Sequence, residues 1–441
     1  MTSVKKTLLV IAILIIATIF YNYPKFNIIA GYTAKYASSS VFLANRSLSF
    51  TQATDLNFLP IKFASEQVNL KDKSVISSVF GLLNRKAIYR KGLGSVLTIN
   101  SVKTLKKTPT PKRLPADNKS PYPYGNADQK DSIFTNINYK KLNQTITSVF
   151  NDSSKTRAVL VIYKDHIIAE KYDKGFTKNS VILGWSMTKS IVGSLFGIMQ
   201  FQGKLNVNEK PNFAAWKNDN RKNITLNNLL QMNSGLAWNE DYESISDATK
   251  MLFLEKDMTA SQLNKPLVGK PNQTWNYSSG CTNLLSGILR NKLGSYQNYL
   301  DFWYAELIDK IGMNSMVVET DLSGNYVGSS YAWATPRDWA KLGLLYLKKG
   351  NWNGQQIFDQ NWVTYATTPT PTSNGWYGAQ IWLNAGKRYP NVPKTMFSFN
   401  GYQGQNVFIL PEQNLVVVRM ALSKKIDTDT FLSQIVALIK K

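Results

Sequence analysis

Two apolar runs of strand length, Ala158-Val159-Leu160-Val161-Ile162-Tyr163 and Leu415-Val416-Val417-Val418-Arg419-Met420-Ala421, lie at opposite ends of the longer, C-terminal part of this chain. They constrain its fold more than any other feature. The first is followed by Lys164-Asp165-His166 and a second run, Ile167–Tyr172, which is a hairpin signal. The second closes a series with Thr395–Phe399 and Asn406–Leu410, joined by Asn400–Gln405 and by a Pro411-Glu412-Gln413-Asn414 turn. Between these ends lies a long stretch of helical and loop-rich pattern, and the chain finishes in a helix, 428–440, with Phe431, Ile435, Val436 and Ile439 at helical spacing. This order implies an α+β fold. Its antiparallel sheet is assembled from both ends of the domain, and helices flank it.

The helical insert begins with the chemistry. Gly184-Trp185-Ser186-Met187-Thr188-Lys189 follows the short apolar run Val181–Leu183 and opens a helix ending near Gln202-Gly203. Residues i and i+3 share a helix face, so the Lys189 amine reaches the Ser186 hydroxyl. Apolar neighbours disfavour a charged amine and leave a free base able to take the serine proton. The same spacing at Ser3 and Lys6 stands in a polar N-terminal tag and lacks this context.

Other residues narrow the choice. His166 is the only histidine and stands in a turn, so it reads as a loop residue. A Ser-His-Asp triad would have to use it, and no multi-histidine metal site exists within the chain. Cys281 is the only cysteine, which excludes an intrachain disulfide. The base of a serine enzyme would then be lysine or tyrosine. Tyr277 precedes Ser278 and Ser279 at the entrance to an apolar helix, where its phenol would stand beside the serine–lysine pair; on spacing alone it reads as one core-edge tyrosine among 22. Thr335-Pro336-Arg337-Asp338 is a capping-box-like helix start, which makes Asp338 structural. Trp185, Trp238, Trp275 and Trp376 read equally as pocket lining or core.

The 441 residues carry 52 Lys+Arg against 28 Asp+Glu, a net charge of +24. Such a surface favours anionic partners or simply aids solubility. No recognition-helix or zinc-knuckle pattern points to nucleic acid. Lys5 and Lys6 precede the apolar run Leu8–Tyr21, which is of signal-peptide type and short for a full membrane span. No Ala-x-Ala site follows closely, which favours an uncleaved anchor with the lysines in the cytoplasm and the rest of the chain outside. Ala34–Leu43 reads as a short helix leading into a strand; Val75–Leu83 and Lys86–Arg90 read as strands of a small lobe, with Gly92-Leu93-Gly94 as a turn. Residues 103–131, with Pro109, Pro111, Pro115, Pro121 and Pro123 among lysines, read as an extended linker or wrapping arm.

Taken in order, Ser186-Met187-Thr188-Lys189, Asn233-Ser234-Gly235-Leu236, Tyr277-Ser278-Ser279 and Gly401-Tyr402-Gln403-Gly404-Gln405 resemble the serine β-lactamase-related superfamily. The branch they resemble most is the class C-like hydrolases typified by 6-aminohexanoate-dimer hydrolase. The resemblance covers residues 131–441 and implies a β-lactamase/transpeptidase-like sheet with a mostly helical subdomain. It divides the chain into 1–31, signal anchor or signal peptide; 32–102, a small N-terminal extension; 103–131, the linker; and 132–441, the hydrolase domain.

The resemblance also implies roles. Ser186 would be the acyl-accepting nucleophile, Lys189 its base and Tyr277 the proton relay to the leaving group. The backbone N–H groups of Ser186 and Tyr402 would form the oxyanion hole. Ser279, Asn400, Gly401 and Trp185 would contact substrate, with no metal or organic cofactor. Where penicillin-binding relatives have Lys-Thr-Gly, this chain has Phe399-Asn400-Gly401, and Ser279 replaces their Asn. Both departures argue against penicillin-type carboxylate recognition and for an amide or ester hydrolase of a bacterial cell envelope, anchored in the inner membrane or secreted if the segment is cleaved. Its substrate would be a small amide, ester or peptide. A cell-wall DD-peptidase and a non-catalytic envelope binding protein on the same fold are the alternatives.

Overall fold

The computed structural model describes residues 3–99, 108–129 and 132–439. The ends of the expected linker (103–107, Lys130 and Asp131), residues 100–102 of the extension and Lys440 of the last helix lie outside them. The chain divides into two compact units: residues 1–90, 94–106 and 239–256 in one, residues 91–93, 107–238 and 257–441 in the other.

The first unit is built on a single helix, Ser3–Phe42, of 40 residues. At about 1.5 Å per residue it is about 60 Å long, twice the hydrocarbon thickness of a bilayer. Its N-terminal half is mostly exposed, and residues 28–40 are buried against a four-stranded antiparallel meander, Ala64–Asn69, Ser74–Val79, Asn84–Arg90 and Gly94–Leu97. The strand expected near Val41 is absent because the serines before it are satisfied within the helix and by its neighbours. Ser38 Oγ pairs with Ser95 Oγ at 2.8 Å, Ser40 Oγ with Thr51 Oγ1 at 2.7 Å, and Thr33 Oγ1 with Ser77 Oγ at 2.6 Å. A helix from the middle of the chain, Asp247–Leu254, completes this core: Phe253 packs on Tyr32 with ring centroids 5.4 Å apart. The composition boundary at 31/32 thus falls inside a continuous helix, and residues 239–256, drawn with the hydrolase domain, belong to the first unit.

In the second unit the two ends meet as the sequence requires. A six-stranded antiparallel sheet runs Trp382–Leu383, Phe397–Gly401, Gln405–Leu410, Leu415–Ala421, Thr156–Tyr163, His166–Tyr172. Val417 stands opposite Val161 and Leu415 opposite Tyr163. One face is covered by the helices Tyr139–Ser148 and Thr428–Ala437, whose Leu142, Ile146, Phe431 and Ile435 join Val159, Val161, Phe408 and Val417 in one core cluster. Pro336–Leu347 covers the other face. Gly343 lets it sit close, since a Cβ there would lie 2.8 Å from Val407 and 3.0 Å from Val416.

The turn and the helix cap expected from the sequence are both present, but His166, read as a loop residue, is the first residue of the strand that follows the turn. The turn has φ of 47° at Lys164 and 67° at Asp165, and His166 Nδ1 lies 2.7 Å from the Lys164 carbonyl. Asp338 caps structure: its amide donates to the Thr335 hydroxyl, and its carboxylate accepts from the Ser315 amide and hydroxyl at 2.8 and 2.6 Å.

The described part of the proline-rich stretch is a clamped arm. Arg113 makes a paired contact with Asp309, Nε to Oδ2 at 2.9 Å and Nη2 to Oδ1 at 2.7 Å, and the Leu114 amide donates to Oδ2 at 2.9 Å. The Lys112 amide donates to Asp301, and the Tyr122 hydroxyl to the Arg337 carbonyl. The Asp309 side chain is fully buried. Removing Arg113 would strand a buried carboxylate, which costs about 3 kcal/mol when a partner is lost. Arg113→Ala should therefore lower the urea midpoint by an amount matching that loss, and an unchanged midpoint would show that the arm does not stabilise the unit.

Candidate active site

Ser186 sits on a 3₁₀ turn, Trp185–Met187, that runs directly into the helix Thr188–Phe201. Trp185 has φ of +47°, a left-handed conformation unusual for a bulky side chain. Three contacts hold it. The Thr188 hydroxyl donates to the Trp185 carbonyl at 2.7 Å and accepts from the Ala332 amide at 3.1 Å, while the Gly184 amide donates to the Ala332 carbonyl at 2.8 Å. The turn is thereby fastened to the strand Ala332–Ala334, which pairs with Ile182–Leu183.

Lys189 is 1% exposed. Its Nζ lies 3.0 Å from Ser186 Oγ, 2.9 Å from Ser279 Oγ and 2.9 Å from the Ser329 carbonyl oxygen. Ser329 is itself placed by Asn283, whose Oδ1 accepts the Ser329 amide at 3.0 Å. Ser279 and Asn283 lie four residues apart on one helix, Ser279–Lys292, so one face of that helix organises both of these lysine partners.

Tyr277 precedes that helix, and Ser278 caps it by accepting the Cys281 amide at 3.0 Å. The Lys189 amine lies 4.9 Å from the centre of the Tyr277 ring. The ring is held by Trp382 at 5.1 Å and Tyr377 at 5.6 Å, and Trp275 packs on both of these. The Asn233-Ser234-Gly235 turn supports the same segment from behind: the carbonyl of Met232 accepts the Asn276 amide at 2.9 Å.

The strand Phe397–Gly401 delivers the last component. A Cβ on Gly401 would lie 2.1 Å from the Gly184 carbonyl oxygen, so only glycine brings this strand end against the serine turn. Tyr402 follows, its ring 5.5 Å from that of Trp185. Gln405 and Arg419 hold the turn. Gln405 Nε2 donates to the carbonyls of Tyr402 and Ala421, at 3.2 and 2.5 Å, and its Oε1 accepts the Ala421 amide. Buried Arg419 reaches the carbonyls of Gly404, Ser423 and Ser154, and burial lowers its pKa to about 10.

Ser186, Lys189, Tyr277, Ser279, Gly401 and Tyr402 are thus brought together from distant parts of the chain. Two residues expected to contact substrate are placed otherwise. Ser279 is fully buried with its hydroxyl on Lys189, and Trp185 is buried between Tyr331 and Tyr402. Burial at both positions has one cause, the close approach of helix, turn and strand. Asn400 is half-buried and its Oδ1 accepts from Asn406 Nδ2. Phe399 is buried against Tyr346, 5.3 Å between rings. Of the tryptophans, Trp238 is buried, Trp275 belongs to the aromatic wall, and Trp376 is 40% exposed. Sequence reasoning missed Ser329, Asn283, Gln405 and Arg419. Arg419 alone carried a signal, as the one charge within a run of valines.

An antiparallel sheet with a helical layer that presents a serine–lysine turn is the architecture of the serine β-lactamase-like and penicillin-binding-protein-like hydrolases. The chain belongs to the beta-lactamase family, whose model matches residues 150–435. It is similar to a 6-aminohexanoate-dimer hydrolase of Paenarthrobacter ureafaciens, 24% identical over 308 residues that cover 62% of this chain and 74% of the relative. Among solved structures it is similar to a family VIII carboxylesterase (13% identity, TM-score 0.56, covering 70% of this chain and 98% of that one). It is also similar to a penicillin-binding protein homolog from Caulobacter crescentus (13% identity, TM-score 0.54, covering 70% and 98%). At these identities the structures establish the shared fold.

Gly401→Ala tests the meeting of strand and turn. The new Cβ faces backbone and cannot be accommodated by a side-chain shift, and a displacement of about 1 Å in a reacting group costs about a hundredfold in rate. The variant should keep its far-UV circular dichroism and lose about that factor in labelling by a fluorophosphonate probe; labelling at the parent rate would show that the approach is not needed.

Proposed function

We propose that this hydrolase cleaves an amide or ester through an acyl-serine intermediate formed on Ser186. The observation that carries this reading is the placement of the Lys189 amine 3.0 Å from Ser186 Oγ and 2.9 Å from both Ser279 Oγ and the Ser329 carbonyl. The Ser329 carbonyl can only accept, and the Ser279 hydroxyl is able to accept. With the amine neutral, its two N–H groups serve these two acceptors and its lone pair faces the Ser186 hydroxyl. Lys189 then takes the serine proton as Oγ attacks the substrate carbonyl. The N–H groups of Ser186 and Tyr402 receive the developing oxyanion. Collapse breaks the bond to the leaving nitrogen or oxygen, and Tyr277, beside the amine, passes it the proton. Water adds to the acyl-serine by the reverse arrangement, restoring Ser186 and releasing the acid.

The amidase or esterase reading is supported over penicillin recognition by Phe399, an apolar side chain turned into the core where penicillin-binding relatives carry a lysine. The 6-aminohexanoate-dimer hydrolase relative places linear amides among the first substrates to try. The N-terminal helix, long and apolar enough to cross a membrane, is read as an uncleaved anchor with Lys5 and Lys6 in the cytoplasm. Its second half forms the core of the first unit, which supports retention of the helix.

The experiment is a screen of short-chain esters, linear amides and β-lactams with the full chain in detergent. Turnover of esters or amides is expected, and lasting acylation by penicillin with no such turnover would replace this reading with a DD-peptidase. Ser186→Ala should lower kcat by a factor on the order of 10⁴ or more, with Lys189→Ala losing a comparable factor because nucleophile and base act as a unit. Near-parent activity in Lys189→Ala would remove lysine from the base role.

A further inference from the structure

Large apolar side chains are left exposed unevenly in this protein. Among the described residues outside the N-terminal helix, the small first unit exposes six and the much larger second unit five. Four of the six stand on two loops of the first unit: Leu59 (63% exposed), Phe63 (47%), Phe80 (63%) and Leu82 (52%). Phe63 and Phe80 meet where the helix leaves its own core. Phe26, the last turn before the helix becomes buried, packs edge-on against Phe80 with ring centroids 6.0 Å apart, and Phe80 lies 5.6 Å from Phe63.

Phe80 is also costly where it stands. It occupies a hairpin loop with φ of +52°, followed by Gly81 at +71°, a conformation that favours Gly, Asn or Asp. An exposed aromatic ring in a left-handed turn gains little from the fold of its own unit. Its ring neighbours among the described residues are the helix root and the adjacent loop.

We propose that these two loops and the helix root form an apolar collar that enters the outer lipid leaflet. This extends the anchor reading of the N-terminal helix and rests on it. From Thr7, the first residue after Lys5 and Lys6, to Phe26 the helix spans about 30 Å, the thickness of a hydrocarbon core. Tyr21 and Tyr23 lie in its last turn and a half, within reach of the interface, with Lys25 over the Tyr21 ring at 5.4 Å. Phe26 ends that span, at the boundary between the acyl chains and the headgroup layer. The rings that touch it therefore meet lipid at the headgroup–acyl boundary, where aromatic side chains are favoured. Lys25 and Lys62 supply positive charge beside them for anionic headgroups. Arg85 fixes the helix root to the sheet, donating to the Asn27 side chain and, at 2.8 Å, to the Phe253 carbonyl. Helix and collar are thereby held as one rigid piece.

The test uses the full chain in vesicles of phosphatidylcholine and phosphatidylglycerol. Native Cys281 is buried, so an introduced exposed thiol takes an environment-sensitive fluorophore. Phe80→Cys probes the collar, Ile11→Cys the middle of the helix, and Val268→Cys an exposed site on the second unit. The collar label should emit to the blue of the Val268 label and be quenched by lipid carrying a nitroxide near the headgroup. Quenching at Ile11 by a deep nitroxide with none at Phe80 overturns the collar and leaves the anchor standing. Absence of quenching at both overturns both. A blue shift at Phe80 without lipid quenching means that protein, such as a second copy, covers the patch, and also overturns the proposal.

Discussion

The closeness of Gly401 to the carbonyl of Gly184 is the constraint on which the active-site region rests. A strand from the end of the chain and a turn from its middle meet there at a distance that leaves no room for a Cβ. Everything near it serves that approach. Ala332 and Thr188 fix the serine turn from one side, and Gln405 and Arg419 fix the strand end from the other. The left-handed Trp185 is the local conformational cost, and its carbonyl and ring are both engaged in holding it.

Lys189 illustrates how burial becomes chemistry. An amine removed from water needs partners for its hydrogens, and those the protein offers include the Ser279 hydroxyl and the Ser329 carbonyl. Those partners come from two further segments, joined through Asn283. A buried lysine on an apolar helix would otherwise be a liability; here its surroundings orient it. The aromatic wall of Trp275, Tyr377 and Trp382 does the same for Tyr277, whose ring is gripped on its faces and edges.

Much of this was legible in the chain. The six-stranded sheet follows from apolar runs whose burial demands partners, and the turn chemistry at Lys164-Asp165 and the cap at Thr335 act over a few residues. The serine–lysine pair was legible because three residues on a helix fix geometry without help from the fold. The contact of Ser279 with Lys189 was not legible for the opposite reason: it depends on which face of another helix Ser279 meets. The continuous N-terminal helix was hidden by Ser38, Ser39 and Ser40, residues with modest helix preference whose hydroxyls find partners on a sheet, within the helix itself and on a neighbouring helix, respectively. Residues 239–256 carry no local sign that they belong with the N-terminal unit, since that membership is made by Phe253 and Tyr32 across some two hundred residues of chain.

By itself, then, the sequence determined the class of fold, the family and the pairing of Ser186 with Lys189, because strand burial and helix spacing are properties of short segments. Tertiary structure alone decided which groups hold that lysine, that Trp185 is a buried brace, that the proline-rich stretch is clamped through Arg113 and Asp309, and where the chain divides. Those outcomes depend on contacts between residues far apart in sequence, and no local pattern specifies which distant atoms will share a hydrogen bond.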